Sequence, residues 1–119
     1  MTSVDRQIAD IEQSIEQAKG DIAFGDALAR LFANRDFKKV VLDGFLREEA
    51  VRLVHLLADP NMQSEDKQTA VIGEIKAIGC FRSYLQMIEH KSSMARKSLH
   101  YSEEVLAELS QEQGESNVG

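Results

Sequence analysis

NRDFKKVVLDGFLREEAVRLVHLLADPNM, residues 34–62, combines aromatic residues, a glycine, a charged run and a proline. Apolar residues recur along it at the three- and four-residue steps of an amphipathic helix. Gly44 suits the C′ position that ends a helix, where a positive φ is often needed. Pro60, the only proline of the chain, cannot continue a helix. The stretch therefore predicts two short helices, near 36–43 and 46–58, between longer helices on either side.

This stretch has two interpretations, the corner of a helical fold or a binding site. We expect the corner, with Asn34 as the break that precedes it and Asp36 as the N-cap of its first helix. In that interpretation four of its apolar residues belong to the core: Phe37, Val41, Phe45 and Leu53. If the stretch were a site instead, truncating them would remove a binding activity and leave the stability unchanged.

The N-terminal segment has the pattern of a coiled coil. In VDRQIADIEQSIEQAKGDI, residues 4–22, the apolar residues recur at alternating steps of four and three: Val4, Ile8, Ile11, Ile15, Ala18 and Ile22. This is an a/d seam sustained for almost three heptads, and the positions around it are mostly charged or amide residues. We expect a helix from 4 to 33 whose first 22 residues are coiled-coil-like.

The C-terminal half predicts one long helix near 64–110. Ser64 with Glu65 and Asp66 is a good helix start, because acids in the first turn suit the helix dipole. A break near Ser92–Ser93 is left open. The polar tail predicts a flexible segment at 113–119, which leaves a single helical domain over 1–112. The predicted class is all-α, a helical hairpin or bundle with two short helices between two long ones.

Composition and charge narrow the classes of protein to consider. The chain has 119 residues, of which 43% are hydrophobic and 29% charged, as is typical of a soluble domain. Its one cysteine cannot form an internal disulfide, no apolar run approaches the roughly 18 residues of a membrane span, and the N-terminus lacks the pattern of a signal peptide. The net charge of −6 disfavours nucleic-acid binding. We expect a soluble, non-secreted protein that neither enters membranes nor binds nucleic acid.

No group of residues has the pattern of a catalytic, metal or cofactor site. The three histidines stand in neither the Glu-x-x-His nor the His-Glu-x-x-His pattern. His55 is expected to be a partly buried ring with a backbone partner. Cys80 has no histidine nearby to act as a base, so we expect a small buried hydrophobe there. The sequence predicts a protein that is not an enzyme and that holds no metal or cofactor.

The charges are divided between two segments. Residues 90–100, HKSSMARKSLH, carry three cations and no acid, whereas residues 1–22 carry five acids against Arg6 and Lys19. The two segments can lie antiparallel, within one chain or between subunits, and we favour the pairing between subunits. The alternatives are a locally solvated basic face and, third, a small nucleic-acid patch. The predicted protein-interaction residues are Ile8, Ile11, Ile15, Ile22, Lys91, Arg96 and Lys97.

The segments LARLFANRDFKKVVLDGFLREEAVRLVHLLADP and IGEIKAIGCFRSYLQMIE resemble small helical proteins of tailed bacteriophages that have no assigned function. The resemblance covers roughly residues 28–90. It rests on Asp-Phe-Lys-Lys at 36–39, Gly-Phe at 44–45, Glu-Glu-Ala-x-Arg-Leu at 48–53 and Ala-Ile-Gly at 77–79. These residues pack and cap helices, so the resemblance implies a helical fold and a viral origin and brings no catalytic chemistry.

Two functions of different class fit these features. The first is a structural or assembly protein of a phage particle that forms helix–helix contacts with itself, as a homo-oligomer, or with a larger phage protein. The apolar seam and the long C-terminal helix favour it, since about 47 helical residues would extend roughly 70 Å. The alternative is a soluble acidic regulator that binds and blocks a host protein, which the negative charge favours. Either protein would be found in the virion or the host cytoplasm.

Overall fold

All the secondary structure in the described part of the chain is helical. The computed structural model describes the backbone of residues 2–118 and the side chains of residues 2–114. Its elements are α1 (Ser3–Ala33), α2 (Arg35–Phe37), a π-helical segment (Lys38–Glu49), α3 (Ala50–Leu57), a 3₁₀ turn (Pro60–Met62) and α4 (Glu65–Val118). The predicted all-α class, with long N- and C-terminal helices, is confirmed.

The middle of the chain is one unbroken run of helical turns over residues 35–57, called here the middle helix. The break predicted at Gly44 is wrong, because no described glycine has a positive φ, and the two short helices are joined. Gly44 lies inside the π-helical segment, whose turns are wider than those of an α-helix. A Cβ at Gly44 would stand 3.2 Å from the carbonyl oxygen of Lys39. The absence of a side chain at Gly44 therefore leaves room for the Lys39 carbonyl oxygen within the widened turn.

Short polar side chains fix where the helices begin. Asn34 Oδ1 accepts a hydrogen bond from the Phe37 backbone N–H at 2.9 Å, so Asn34 is the N-cap of the middle helix. The N-cap predicted at Asp36 is therefore wrong by two residues. Ser64 Oγ accepts a hydrogen bond from the Lys67 backbone N–H at 3.3 Å, and α4 begins at the residue after Ser64, close to the predicted start.

Helix α4 is continuous from Glu65 to Val118. The break left open near Ser92–Ser93 does not occur, and the helix continues past its predicted end near 110. The flexible tail predicted for 113–119 falls mostly on residues whose side chains lie outside the described part, so it stays a prediction.

Contacts between residues group the chain into two compact units. Unit 1 consists of residues 1–27 and 88–119, and unit 2 consists of residues 28–87. Unit 1 thus contains most of α1 and the C-terminal part of α4, while unit 2 contains the middle helix and the start of α4. The single domain predicted for 1–112 stays a prediction.

The core of unit 2 lies between the middle helix and α4. Its centre is Leu53, only 1% exposed, with Val71 and Ile78. Partly buried apolar side chains pack around these three: Leu46, Ala50, Leu56, Leu57, Met62 and Ile75. The core position predicted for Leu53 is confirmed.

The other three residues predicted for this core lie nearer the surface. Phe37 and Val41 are half-buried, and Phe45 is 39% exposed. The Phe45 ring meets Phe81 edge-on, with 6.0 Å between the ring centroids, so it stacks at the margin of the core. The prediction that Phe45 is a core residue is wrong, because its edge-on stacking leaves much of the ring in contact with solvent.

Unit 1 is an antiparallel pair of helices that approach through small residues. The buried side chains are Ile15 and Ala18 on α1, and Ile88, Ser92, Ala95 and Ser102 on α4. The helices approach closely at Gly25, where an added Cβ would overlap Oγ and Cβ of Ser92 and lie 3.7 Å from its Cα. Small residues thus let the two backbones come together where larger ones would hold them apart.

Candidate helix-pairing interface

Helix α1 begins with a reciprocal cap. The Asp5 backbone N–H donates to Thr2 Oγ1, and the Thr2 backbone N–H donates to Asp5 Oδ2, each at 3.1 Å. Asp5 Oδ1 also accepts a hydrogen bond from Gln113 Nε2 at 2.9 Å. This last bond joins the start of α1 to α4 within unit 1. The Thr2 hydroxyl, more than any other group, lowers the pKa of the Asp5 carboxyl below its usual 3.8.

The cap should be visible in the titration of Asp5. The stabilisation from this carboxylate is complete above the pKa of the unfolded chain, near 3.8, and is lost as the pH falls through the lower pKa of the folded chain. We expect the carboxyl carbon of Asp5, followed by NMR, to titrate below 3.8. Thr2→Ala should return the midpoint toward 3.8, and Thr2→Ser, which keeps the hydroxyl, should not. Equal midpoints in all three proteins would contradict the cap.

The predicted interaction residues of α1 lie on the face of unit 1 that packs against α4. Ile15 is buried, and Ile8, Ile11 and Ile22 are half-buried. Ile11 lines a shallow groove with Val105 and Leu109, so the seam meets α4 within the same chain.

Two of the three predicted cations meet α1 carboxylates. Lys91 Nζ lies 3.9 Å from Asp21 Oδ1, and the Arg96 guanidinium donates to Asp26 Oδ1. Lys97 is exposed. The antiparallel contact of the acidic with the basic segment therefore forms within one chain, and the pairing between subunits that the sequence favours stays a prediction. A role for these residues in binding a partner stays a prediction.

The ion pairs of unit 1 contribute little to the pairing of its helices. All four side chains of the Lys91–Asp21 and Arg96–Asp26 pairs are at least two-fifths exposed, and such surface pairs are worth about 0–1 kcal/mol each. Burial and close packing between the small residues contribute more. Sequence reasoning missed these small residues, although the steps of three and seven between Ser92, Ala95 and Ser102 are a signal that could have revealed them.

One open side of the helix pair carries a groove of about 400 Å³. Its floor is Ala18 and Ala95. Its other lining residues are Ser14, Gln17 and Asp21 on α1, and His90, Lys91, Met94 and Ser98 on α4. The groove combines an apolar floor with polar and charged margins, as expected of a surface that receives another helix.

A smaller groove of about 240 Å³ lies in unit 2 between the middle helix and α4. Phe45, Leu53 and Ile78 line it together with Glu49, Glu74 and Ala77. Arg52 Nε donates to Glu49 Oε2 at 3.0 Å, and this bond lowers the pKa of the Glu49 carboxyl. The volume falls below the roughly 300–1,000 Å³ of small-molecule sites and suits one apolar side chain of a partner.

The remaining candidates for chemistry are scattered over the surface. Cys80 and His55 are both exposed, so the buried thiol and the partly buried ring predicted there are wrong. Both positions lie on helix faces that point away from the Leu53 core, and apolar neighbours in the sequence do not reveal this. His100 Nε2 lies 3.0 Å from Glu104 Oε1. Over the described residues, no three His, Cys, Asp or Glu side chains come together as metal ligands.

A search for membrane-crossing segments in the described residues found no helix of sufficient length and apolar character. Comparison with known proteins found no matching family model, no similar curated protein and no similar solved structure.

Proposed function

We propose that this chain is a non-enzymatic helical protein that binds another protein through helix–helix contacts, as a structural or assembly protein of a bacteriophage. The observation that carries the proposal is a pair of exposed valines on the middle helix. Val51 is 50% exposed and Val54 is 53% exposed, three residues apart on one face of α3. Single exposed apolar residues are ordinary, but two branched side chains one turn apart favour a facing helix.

The assignment to a phage rests on the resemblance of residues 28–90 to helical proteins of tailed bacteriophages. That segment contains the whole of unit 2, and therefore the valine pair. The proposed location is the virion or the host cytoplasm. Mass spectrometry of purified phage particles tests the assignment, and a structural protein is expected at a fixed number of copies per particle.

The role of the valine pair in binding can be tested by replacing both valines with charged residues. Val51→Lys with Val54→Lys should weaken capture of the partner by at least about 10-fold, because binding would bury two unpaired ammonium groups. Helicity and melting temperature should stay near those of the parent, since both side chains are half in solvent. The binding is measured by capture from infected cells, followed by titration of the partner so identified.

The matched control adds the same two charges at another exposed site with the same spacing. Ser83→Lys with Gln86→Lys on α4 replaces two exposed polar residues three positions apart. This variant should bind the partner as the parent does. If the two double variants bind equally well, the valine pair is not the contact.

The second candidate function is an acidic regulator that binds and blocks a host protein. The groove of unit 2 favours it, because Glu49 and Glu74 flank its apolar floor and the whole chain carries a net charge of −6. Such a groove suits an apolar side chain that is followed by lysine or arginine. Absence of the chain from purified particles, together with capture of a host protein, would favour this function over the first.

A further inference from the structure

In unit 1, helix α4 carries two stripes with heptad spacing, and α1 covers only one of them. The covered stripe is Ile88, Ser92, Ala95, Leu99 and Ser102. Each residue of the second stripe precedes a residue of the covered stripe by one position, which places it about 100° around the helix axis. Its members are Met87, Lys91, Met94, Ser98 and Tyr101, all exposed. Met94 is 50% exposed and Tyr101 69% exposed, which places two large side chains in solvent on one face of α4.

Helix α1 carries a matching flank. One residue before each seam position from Ile8 to Ile22 stand Gln7, Asp10, Ser14, Gln17 and Asp21, and the same stripe continues to the exposed Phe24. The groove of about 400 Å³ lies between the two flanks and is lined from both of them. Because two helices alone leave one side of their shared seam open, Ile8, Ile11 and Ile22 are only half-buried.

We propose that a second copy of this chain packs on this open face, so that two helix pairs form a four-helix bundle. Four-helix bundles are built in this way, with apolar stripes from each helix meeting in a shared core. Met94, Tyr101 and Phe24 of both copies would then leave solvent.

Charge selects a second copy as the occupant. The open face carries Asp21 on α1 and Lys91 on α4, with 3.9 Å between the carboxylate oxygen and the ammonium nitrogen. Under a twofold axis parallel to the helices, α1 of one copy lies along α4 of the other at the same height, so each Asp21 also comes beside Lys91 of the other copy.

This surface differs from the valine pair of unit 2, so the self-association does not depend on the proposed function. Purified protein is sufficient to test it. A monomeric parent would refute the bundle and leave the partner of the valine pair untouched.

The test is sedimentation of the full chain over a concentration series. The parent should approach twice the chain mass of 13.3 kDa. Met94→Glu with Tyr101→Glu should shift it to 13.3 kDa with helicity retained, because both side chains are already half or more exposed. The shift follows from placing four carboxylates, two from each copy, in the apolar interface.

The control introduces two carboxylates on the other flank of α4. Ser93→Glu with His100→Glu has the same spacing of seven residues, and both exposed positions stand one residue after the covered stripe. This variant should remain a dimer. The proposal is overturned if the parent sediments as a monomer at every concentration, if the Met94 and Tyr101 variant stays dimeric, or if both variants dissociate equally.

Discussion

Truncation of Leu53 to alanine is expected to lower the free energy of unfolding by about 2–5 kcal/mol. Leu53 is the most enclosed side chain in the described core, 1% exposed and packed with Val71 and Ile78. Its loss opens a cavity between the middle helix and α4. Because the neighbouring turns hold both helices in place, the cavity does not close. Since small domains have a total stability of about 5–15 kcal/mol, denaturant titration followed by circular dichroism should register the change clearly.

Two neighbouring truncations provide the comparison. Val54→Ala alters the next residue of the same helix, which is 53% exposed, and should change the stability by less than about 0.5 kcal/mol. Phe45→Ala should lie between the two, at about 1–2 kcal/mol, because it removes an edge-on contact with Phe81 and little fully buried surface. The core described for unit 2 would be contradicted if Leu53→Ala were as mild as Val54→Ala.

Gly25→Ala is expected to destabilise the protein by about 1–3 kcal/mol, although alanine is the better helix former by about 1 kcal/mol. The new Cβ would overlap Oγ and Cβ of Ser92, and a Cβ cannot swing aside as the end of a flexible side chain can. The two helices of unit 1 would have to separate locally, and the seam around Ala18 and Ala95 would open with them. Thermal unfolding by calorimetry measures the loss.

The chain provides a matched control and a rescue. Gly20 lies on the same helix with nothing within 4 Å of an added Cβ, so Gly20→Ala should stabilise the protein by up to about 1 kcal/mol. Adding Ser92→Gly to Gly25→Ala removes the overlapping atoms and should recover part of the lost stability, so that the two changes are not additive. A stabilising Gly25→Ala would show that the helices are not in close contact there.

Periodicity in the sequence identifies much of this fold because burial in a helix repeats every three or four residues. The seam from Val4 to Ile22 and the core position of Leu53 follow from that repeat alone. Gly44 shows where the method fails. A glycine indicates only that a side chain would be unfavourable at that position. This is true both at the end of a helix and inside a widened helical turn.

The candidate interface was predicted only in part, for a related reason. The isoleucine seam and the cations of α4 were recognised, but periodicity does not say which copy of a helix covers a seam. Small residues such as Ser92 and Ala95 were missed because they add little to an apolar pattern and still set how closely helices approach. The exposed stripe of Met94 and Tyr101 becomes evident only once the covered face of α4 is known.

The close approach of Gly25 to Ser92 also determines the alignment of the two helices of unit 1. A heptad seam repeats, so α1 could slide along α4 by seven residues and still place apolar against apolar. Such a slip would bring Gly25 opposite Leu85 or Leu99, the residues seven positions before and after Ser92. A leucine side chain does not fit in a space that excludes even a methyl group. The glycine–serine contact thus selects one register from the several that the apolar repeat alone would tolerate.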